Sequence, residues 1–354
     1  MSHDNDPFAV HEPVTVIDQL RVRPGQRRAV LDLFEQVYKP LAAERGLEWL
    51  HTHCAPPFER EGAGGDIHIH WRYPSLGALW GARGVEETDP RLASFWRIQL
   101  APLIESRTRQ LGRPAPLRAF PVAGPEPAGP ARIPGRREIL FLRPRVAVPA
   151  ADQPRWLAAL DGLVGQQGIR ACRGGFNAGG YTGREGEISC DLLLAEGAAL
   201  PVSLIENSLP GPVAVDEVVT PAVPVAWGWS SRPLGNGVKR TILLKTRDDA
   251  GPDAIATMEQ VLVEWARQLP EMASWSLSRV SAGNGPIAWS HCYEQEFTEA
   301  SAVLGSYLNH PFHWAVVDRY FHPEGHEQTA DAFFHSIYPI TASVLAPMLA
   351  GGEG

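Results

Sequence analysis

Cysteine is scarce in this chain of 354 residues: four in all, Cys54, Cys172, Cys190 and Cys292, with no CxxC pair among them. Isolated, widely spaced thiols exclude a zinc ribbon or a disulfide framework, and reduced cysteines are expected. Long apolar runs are missing too. No stretch approaches the ~18–20 apolar residues that cross a bilayer. The opening MSHDNDPFAVHEP has neither a basic nor an apolar signal region, so no membrane partner and a cytoplasmic location are expected. Basic residues form no stripe, and a net charge of −8 has the wrong sign for a nucleic-acid partner. There is no GxGxxG after a strand, no Walker loop, no GxSxG elbow and no HExxH helix, which argues against nucleotide cofactors and the common hydrolase chemistries. The glycine-rich run at 174–180 falls between predicted strands and reads as a mobile loop.

What is present is a globular composition, 44% hydrophobic and 20% charged, long enough for about two or three domains. Residues 113–136 are rich in Pro, Gly and Ala without hydrophobic period and read as a stiff linker. A second break falls at 230–237. The expected units are therefore 1–112, 137–229 and 230–354.

Each unit opens on a β-branched strand, at 14–22, 138–146 and 239–246. An amphipathic helix follows each time. In the third unit Ile255, Met258, Val261, Leu262, Trp265 and Leu269 recur at three- and four-residue steps and make one stripe. Two further strands come next, at 275–280 and 288–297 in the third unit, then a short helical stretch ending in Asp89-Pro90, Leu209-Pro210 or His310-Pro311. Those dipeptides lie about 70 residues after the opening strand in each case. A βαββαβ order is a ferredoxin-like unit. The predicted fold class is α+β: tandem ferredoxin-like (dimeric α+β barrel) repeats, three units with antiparallel sheets packed face to face. Two sheets can pair within the chain and one is left over, which predicts a homodimer.

The candidate chemistry gathers around the last of these dipeptides. Pro311 suits the first turn of a helix, so the chain should be extended through His310 and helical from Pro311 onward. His313 then sits in the first turn, where the macrodipole disfavours an imidazolium and favours a neutral, proton-accepting ring. The same residues also suit a plain structural role, with His310 and His313 capping the helix and Tyr307 a packed aromatic. Corresponding positions in the other units hold Asp89 and Leu92, or Leu209 and Pro212, which cannot run the same acid–base chemistry. Two-residue alternation puts His291 on one strand face with Trp289, Tyr293 and Gln295. Trp265, Trp275, Trp289, Phe312 and Trp314 would line a pocket for a planar hydrophobic ligand, or serve as ordinary core.

In the first unit, His51 with His53 and His68 with His70 are i,i+2 pairs on neighbouring strands. They could converge as a divalent-metal site or remain a polar surface, and no metal is assigned.

The third unit resembles the stress-responsive α/β barrel (Dabb) family. The likeness is carried by VKRTILLK at 238–245, SHCYEQEF at 290–297 and SYLNHPFH at 306–313. Members of the olivetolic acid cyclase type are cofactor-free polyketide cyclases that close a ring by aldol condensation. Their catalytic Tyr and His match Tyr307 and His313, and a further pocket His matches His291. Their other pocket His falls on Arg240 here. The resemblance therefore implies a cofactor-independent cyclase, isomerase or lyase acting on a small hydrophobic carbonyl substrate, polyketide or aromatic. Tyr307 and His313 would be catalytic, and His310, His291, Trp289, Tyr293, Arg240, Phe312 and Trp265 would bind substrate. Two alternatives stand beside it: a heme enzyme resembling the aldoxime dehydratases, with His313 or His310 on the iron, and a non-catalytic stress-responsive oligomer that sequesters ligands.

Overall fold

The structure, a computed structural model, describes residues 8–58, 63–86, 89–114, 119–179 and 184–350. Residues 115–118 of the expected linker and Gly180 of the glycine-rich run lie outside the described residues, and Gly174–Phe176 of that run, expected as loop, are the end of a strand that pairs with Ile188–Cys190. The fold is mixed α+β with antiparallel sheets. It divides into two compact units, Met1–Phe120 with Ser306–Asp331, and Pro121–Gly305 with Ala332–Gly354. One division falls inside the Pro/Gly-rich stretch. The other assigns residues 306–331, which the sequence pattern attaches to the third repeat, to the unit built by the first.

The first unit holds strands β1 (Val14–Val22), β2 (Glu48–Ala55), β3 (Gly65–Tyr73) and β4 (Ile104–Gly112) in the order β2-β3-β1-β4. Alternation decides its two faces. Val14, Val16, Asp18, Leu20 and Val22 are buried, opposite Tyr73, Trp71, Ile69, Ile67 and Gly65 of β3. Helical segments cover that face, and Phe34, Tyr38, Trp71, Phe95 and Trp96 pack there with ring centroids 4.7 to 6.4 Å apart.

Asp18 stands out on this apolar face. It accepts from Trp71 Nε1 at 2.9 Å and from Arg109 at 3.3 Å. Arg109 also reaches Glu324 at 2.9 Å and the Tyr38 hydroxyl at 3.0 Å, while Arg45 reaches Glu324 at 2.9 Å. Burial pushes the Asp18 carboxyl and the Tyr38 phenol up in pKa, although Arg109 opposes both. Burial acts on Glu324 the same way, yet Arg109 and Arg45 outweigh it and hold this carboxyl below the ordinary range. Glu324 thereby ties segment 306–331 into the first unit. Arg83–Asp318 at 2.9 Å adds a second tie, and Trp314 joins the hydrophobic core.

The second unit contains β5 (Arg136–Pro144), β6 (Ile169–Phe176), β7 (Ile188–Leu194), β8 (Val213–Pro221), β9 (Ala226–Trp229), β10 (Gly237–Thr246), β11 (Met272–Gly283), β12 (His291–Phe297) and β13 (Ala330–Ile340). Their order is β13-β10-β12-β11-β8-β5-β7-β6, with β9 on β11. Separate sheets were expected. Instead β11 runs on past its own set, and Val280, Ala282 and Gly283 pair with Pro221, Thr220 and Val219 of β8, so nine strands form one sheet.

Strands β7 and β12 are buried on both faces, one against helices and the other against the opposite half of the sheet. Across that interior Arg137 meets Glu294 at 2.7 Å and Lys239 meets Asp191 at 2.8 Å, and Lys239 also reaches Glu294 of its own half at 2.9 Å. The Tyr338 hydroxyl donates to Asp191 at 2.7 Å, and Phe141 packs edge-on to Phe334 at 5.2 Å. Near the free ends of the sheet Ala178 N–H donates to Ile337 O at 2.8 Å. The backbones approach so closely there that a Cβ on Gly175 would lie 2.4 Å from Tyr338.

All four cysteines are free, with Cys172 and Cys190 in contact at 3.5 Å between sulfurs. Among the described residues no helix is long and apolar enough to cross a membrane.

Candidate functional site

The helical stretch before Pro311 breaks at His310 and resumes at Pro311, because proline carries no N–H and restricts the residue before it. The His310 ring closes the break: Phe312 N–H donates to its Nδ1 at 3.1 Å, and His313 N–H donates to its backbone oxygen at 2.9 Å. π-helical turns lie on either side, Val303–Tyr307 and His313–Val317. Such turns add a residue to the ladder and are frequent where a helix carries functional side chains.

This geometry brings Tyr307 and His313 together in the first unit, with ring centroids 4.7 Å apart and ring planes at 51°. Tyr307 is buried and His313 half-buried. Trp80 also packs against His313, with ring centroids 5.4 Å apart. His310 packs at a tilt against Phe120 at 4.7 Å and Phe8 at 6.3 Å, and burial pushes its pKa down to about 4, so its imidazole is neutral at pH 7. Arg113 donates to Phe8 O and lies over Trp314 at 5.2 Å. Phe8, Trp80 and Phe120 are far from the HPFH stretch in sequence, and nothing in their spacing marks them.

The predicted site residues His291, Trp289, Tyr293, Arg240 and Trp265 belong to the second unit. His291 contacts Glu259 at 3.1 Å through Nε2 and Ser290 at 2.8 Å through Nδ1. Burial lowers its pKa, against the pull of Glu259. The Tyr293 hydroxyl donates to Leu262 O at 2.9 Å, Arg240 bonds Gln295 at 3.2 Å and His335 at 3.1 Å, and Trp265 is fully buried core.

Trp289 departs from the expected alternation. Strand β12 begins only at His291, and a local turn, Trp289 N–H to Ile287 O at 3.0 Å, precedes it. Trp289 therefore packs with Phe141, Leu243 and Cys292 between the two halves of the sheet and donates to Glu217 at 2.6 Å, whereas His291 faces the helix that carries Glu259. Phe312 is half-buried beside His310.

The four histidines of β2 and β3 share the sheet face turned away from the helices of the first unit. His51 pairs with His70 and His53 with His68 across β2 and β3, and the centroids of His51, His53 and His70 lie 4.3 to 6.0 Å apart. Among the described residues no group of three or more His, Cys, Asp or Glu is arranged to hold a metal ion. A cleft of about 420 Å³ opens elsewhere in this unit, lined by Phe34, Lys39, Trp49, Thr52 and Trp71 among others.

Residues 238–327 match the family model of Dabb, the stress responsive A/B barrel domain. No curated protein matches the chain. Among solved structures, a NIPSNAP family protein of unknown function from Agrobacterium tumefaciens is similar at 24% identity, covering 30% of this chain and 90% of its own, with a TM-score of 0.24. A putative monooxygenase from Lactobacillus acidophilus is 10% identical over 59% of this chain and 100% of its own, TM-score 0.36. An anthrone oxidase-like protein is 8% identical over 62% and 95%, TM-score 0.40.

Proposed function

We propose that the chain is three ferredoxin-like repeats that assemble as a homodimer and catalyse cofactor-independent proton transfer on a hydrophobic carbonyl compound, in an aldol-type cyclase, isomerase or lyase reaction. The observation that carries this reading is the Tyr307–His313 pair, 4.7 Å apart among aromatic side chains. His313 takes a proton from the carbon beside a carbonyl. The C–H electron pair becomes an enolate, and the Tyr307 hydroxyl donates to its oxygen. The enolate carbon then attacks a second carbonyl carbon, and the resulting alkoxide recovers the proton from His313. Each step moves one proton and one electron pair, and no redox group is needed. His310 supports the pair by holding the helix start, and Phe8, Phe120 and Trp80 supply the apolar surround that suits a polyketide or aromatic substrate.

The test does not require the natural substrate. In D2O, the wild-type protein is expected to accelerate exchange of the α-protons of an aryl methyl ketone, followed by NMR. His313→Ala should lose about 10²-fold of that rate, and Tyr307→Phe should lose a comparable factor. Exchange no faster than buffer, or an unimpaired His313→Ala with wild-type folding, sinks the proposal.

A further inference from the structure

The outer face of the first unit's sheet has an unusual middle. His51 and His53 are exposed on edge strand β2, and His68 and His70 opposite them are half-buried. On the other side of β3 the same face continues through Ile17 and Gln19 of β1, then Thr108 and Gln110 of β4. None of these neighbours carries charge. The charged residues of the face sit at its two ends, in ion pairs: Arg21 lies between two carboxylates, Asp66 at 2.9 Å and Glu105 at 3.8 Å, and Arg72 pairs with Glu48 at 2.6 Å. Four imidazoles thus lie in a patch with no carboxylate among them.

The second unit shows what such a face is for in this chain. There the two four-stranded sets bury the corresponding faces on each other, and their charges are paired across the interior. The first unit has a single set of four strands. With the imidazoles neutral, two copies can meet on this face without burying an unpaired charge.

We infer that this face is the surface on which a second copy of the chain docks, and that the four histidines make the contact acid-labile. The inference rests on the homodimer proposed above and adds its regulation. Protonation on acidification would place imidazolium rings of both copies against one another with nothing to neutralise them. His70 already resists protonation through burial and through His51, His53 and His68, and a second copy would increase that burial. The sign is fixed by this direction. A group held neutral in the dimer favours the dimer above its free pKa and opposes it as pH falls below. If one imidazole per protomer is held about one unit lower in the dimer, the dissociation constant rises about 100-fold once the pH is well below both values.

Sedimentation of the full chain at pH 8 and pH 5, with circular dichroism at both, tests this. The expected result is a dimer at pH 8 that weakens about 100-fold at pH 5, and a quadruple His51→Gln, His53→Gln, His68→Gln, His70→Gln variant that stays dimeric at both. A wild-type dimer unchanged at pH 5 overturns the gating and leaves the dimer standing. A monomer at both values overturns the dimer itself. His70→Lys at pH 8 supplies the charge without acid, and a tight dimer in that variant also overturns the inference.

Discussion

Glu294→Ala is expected to destabilise the second unit by about 3–5 kcal/mol, the usual result of removing one partner from a buried ion pair. Glu294 is fully buried between Arg137 and Lys239, and Asp191 is the other carboxylate they share. Its loss leaves two cations on one anion where water cannot enter. Urea unfolding followed by tryptophan fluorescence should show the midpoint fall with little change in slope. The pH dependence has a definite sign. Burial works against ionisation of Glu294, but Arg137 and Lys239 win and hold its pKa at about 2. A carboxyl depressed in the folded state contributes fully above its ordinary pKa of 4.5 and loses that contribution as pH falls toward 2. Wild-type stability should therefore drop across that window, and Glu294→Gln should flatten the drop. An unchanged midpoint in Glu294→Ala would mean that the network contributes nothing net.

Glu324→Ala is expected to have a similar cost in the first unit, about 3–5 kcal/mol, with a consequence for the site as well. Its carboxylate receives Arg45, Arg109 and Tyr38, and its backbone oxygen receives Arg107 at 2.9 Å. Without it the buried Arg45 loses its ion pair, and Arg109 loses one of the two carboxylates it bridges and is left against Asp18. Tyr307, His310 and His313 ride on the same segment, 306–331, that Glu324 anchors. Hydrogen exchange should speed up across that segment, and the ketone-exchange rate should fall even though Glu324 touches neither ring. Wild-type protection of residues 306–331 in Glu324→Ala would refute the anchoring role.

How far the sequence discloses this depends on the range of the interaction. Strand β1 is legible end to end because Val14, Val16, Leu20 and Val22 alternate with polar neighbours. The helix restart at Pro311 is legible because it is a local property of proline. The placement of 306–331 in the first unit is not. It depends on contacts such as Arg45–Glu324, 279 positions apart, and neither residue advertises its partner. The face of Trp289 is not legible for a different reason: alternation holds only inside a strand, and the strand starts two residues later. Phe8, Trp80 and Phe120 enter the site through tertiary packing, which no spacing rule reports.

The junction of β8 with β11 has a consequence for how the second unit can change. In a barrel built from two identical chains, every residue at the meeting faces occurs twice, and a substitution is imposed on both halves at once. Here the halves are different stretches of one chain, with Arg137 and Asp191 on one and Lys239 and Glu294 on the other, so either cross-pair, Arg137–Glu294 or Lys239–Asp191, can change without its counterpart changing too. Each half is free to specialise. One half can serve as a permanent mate for the other, and their pairing does not depend on protein concentration.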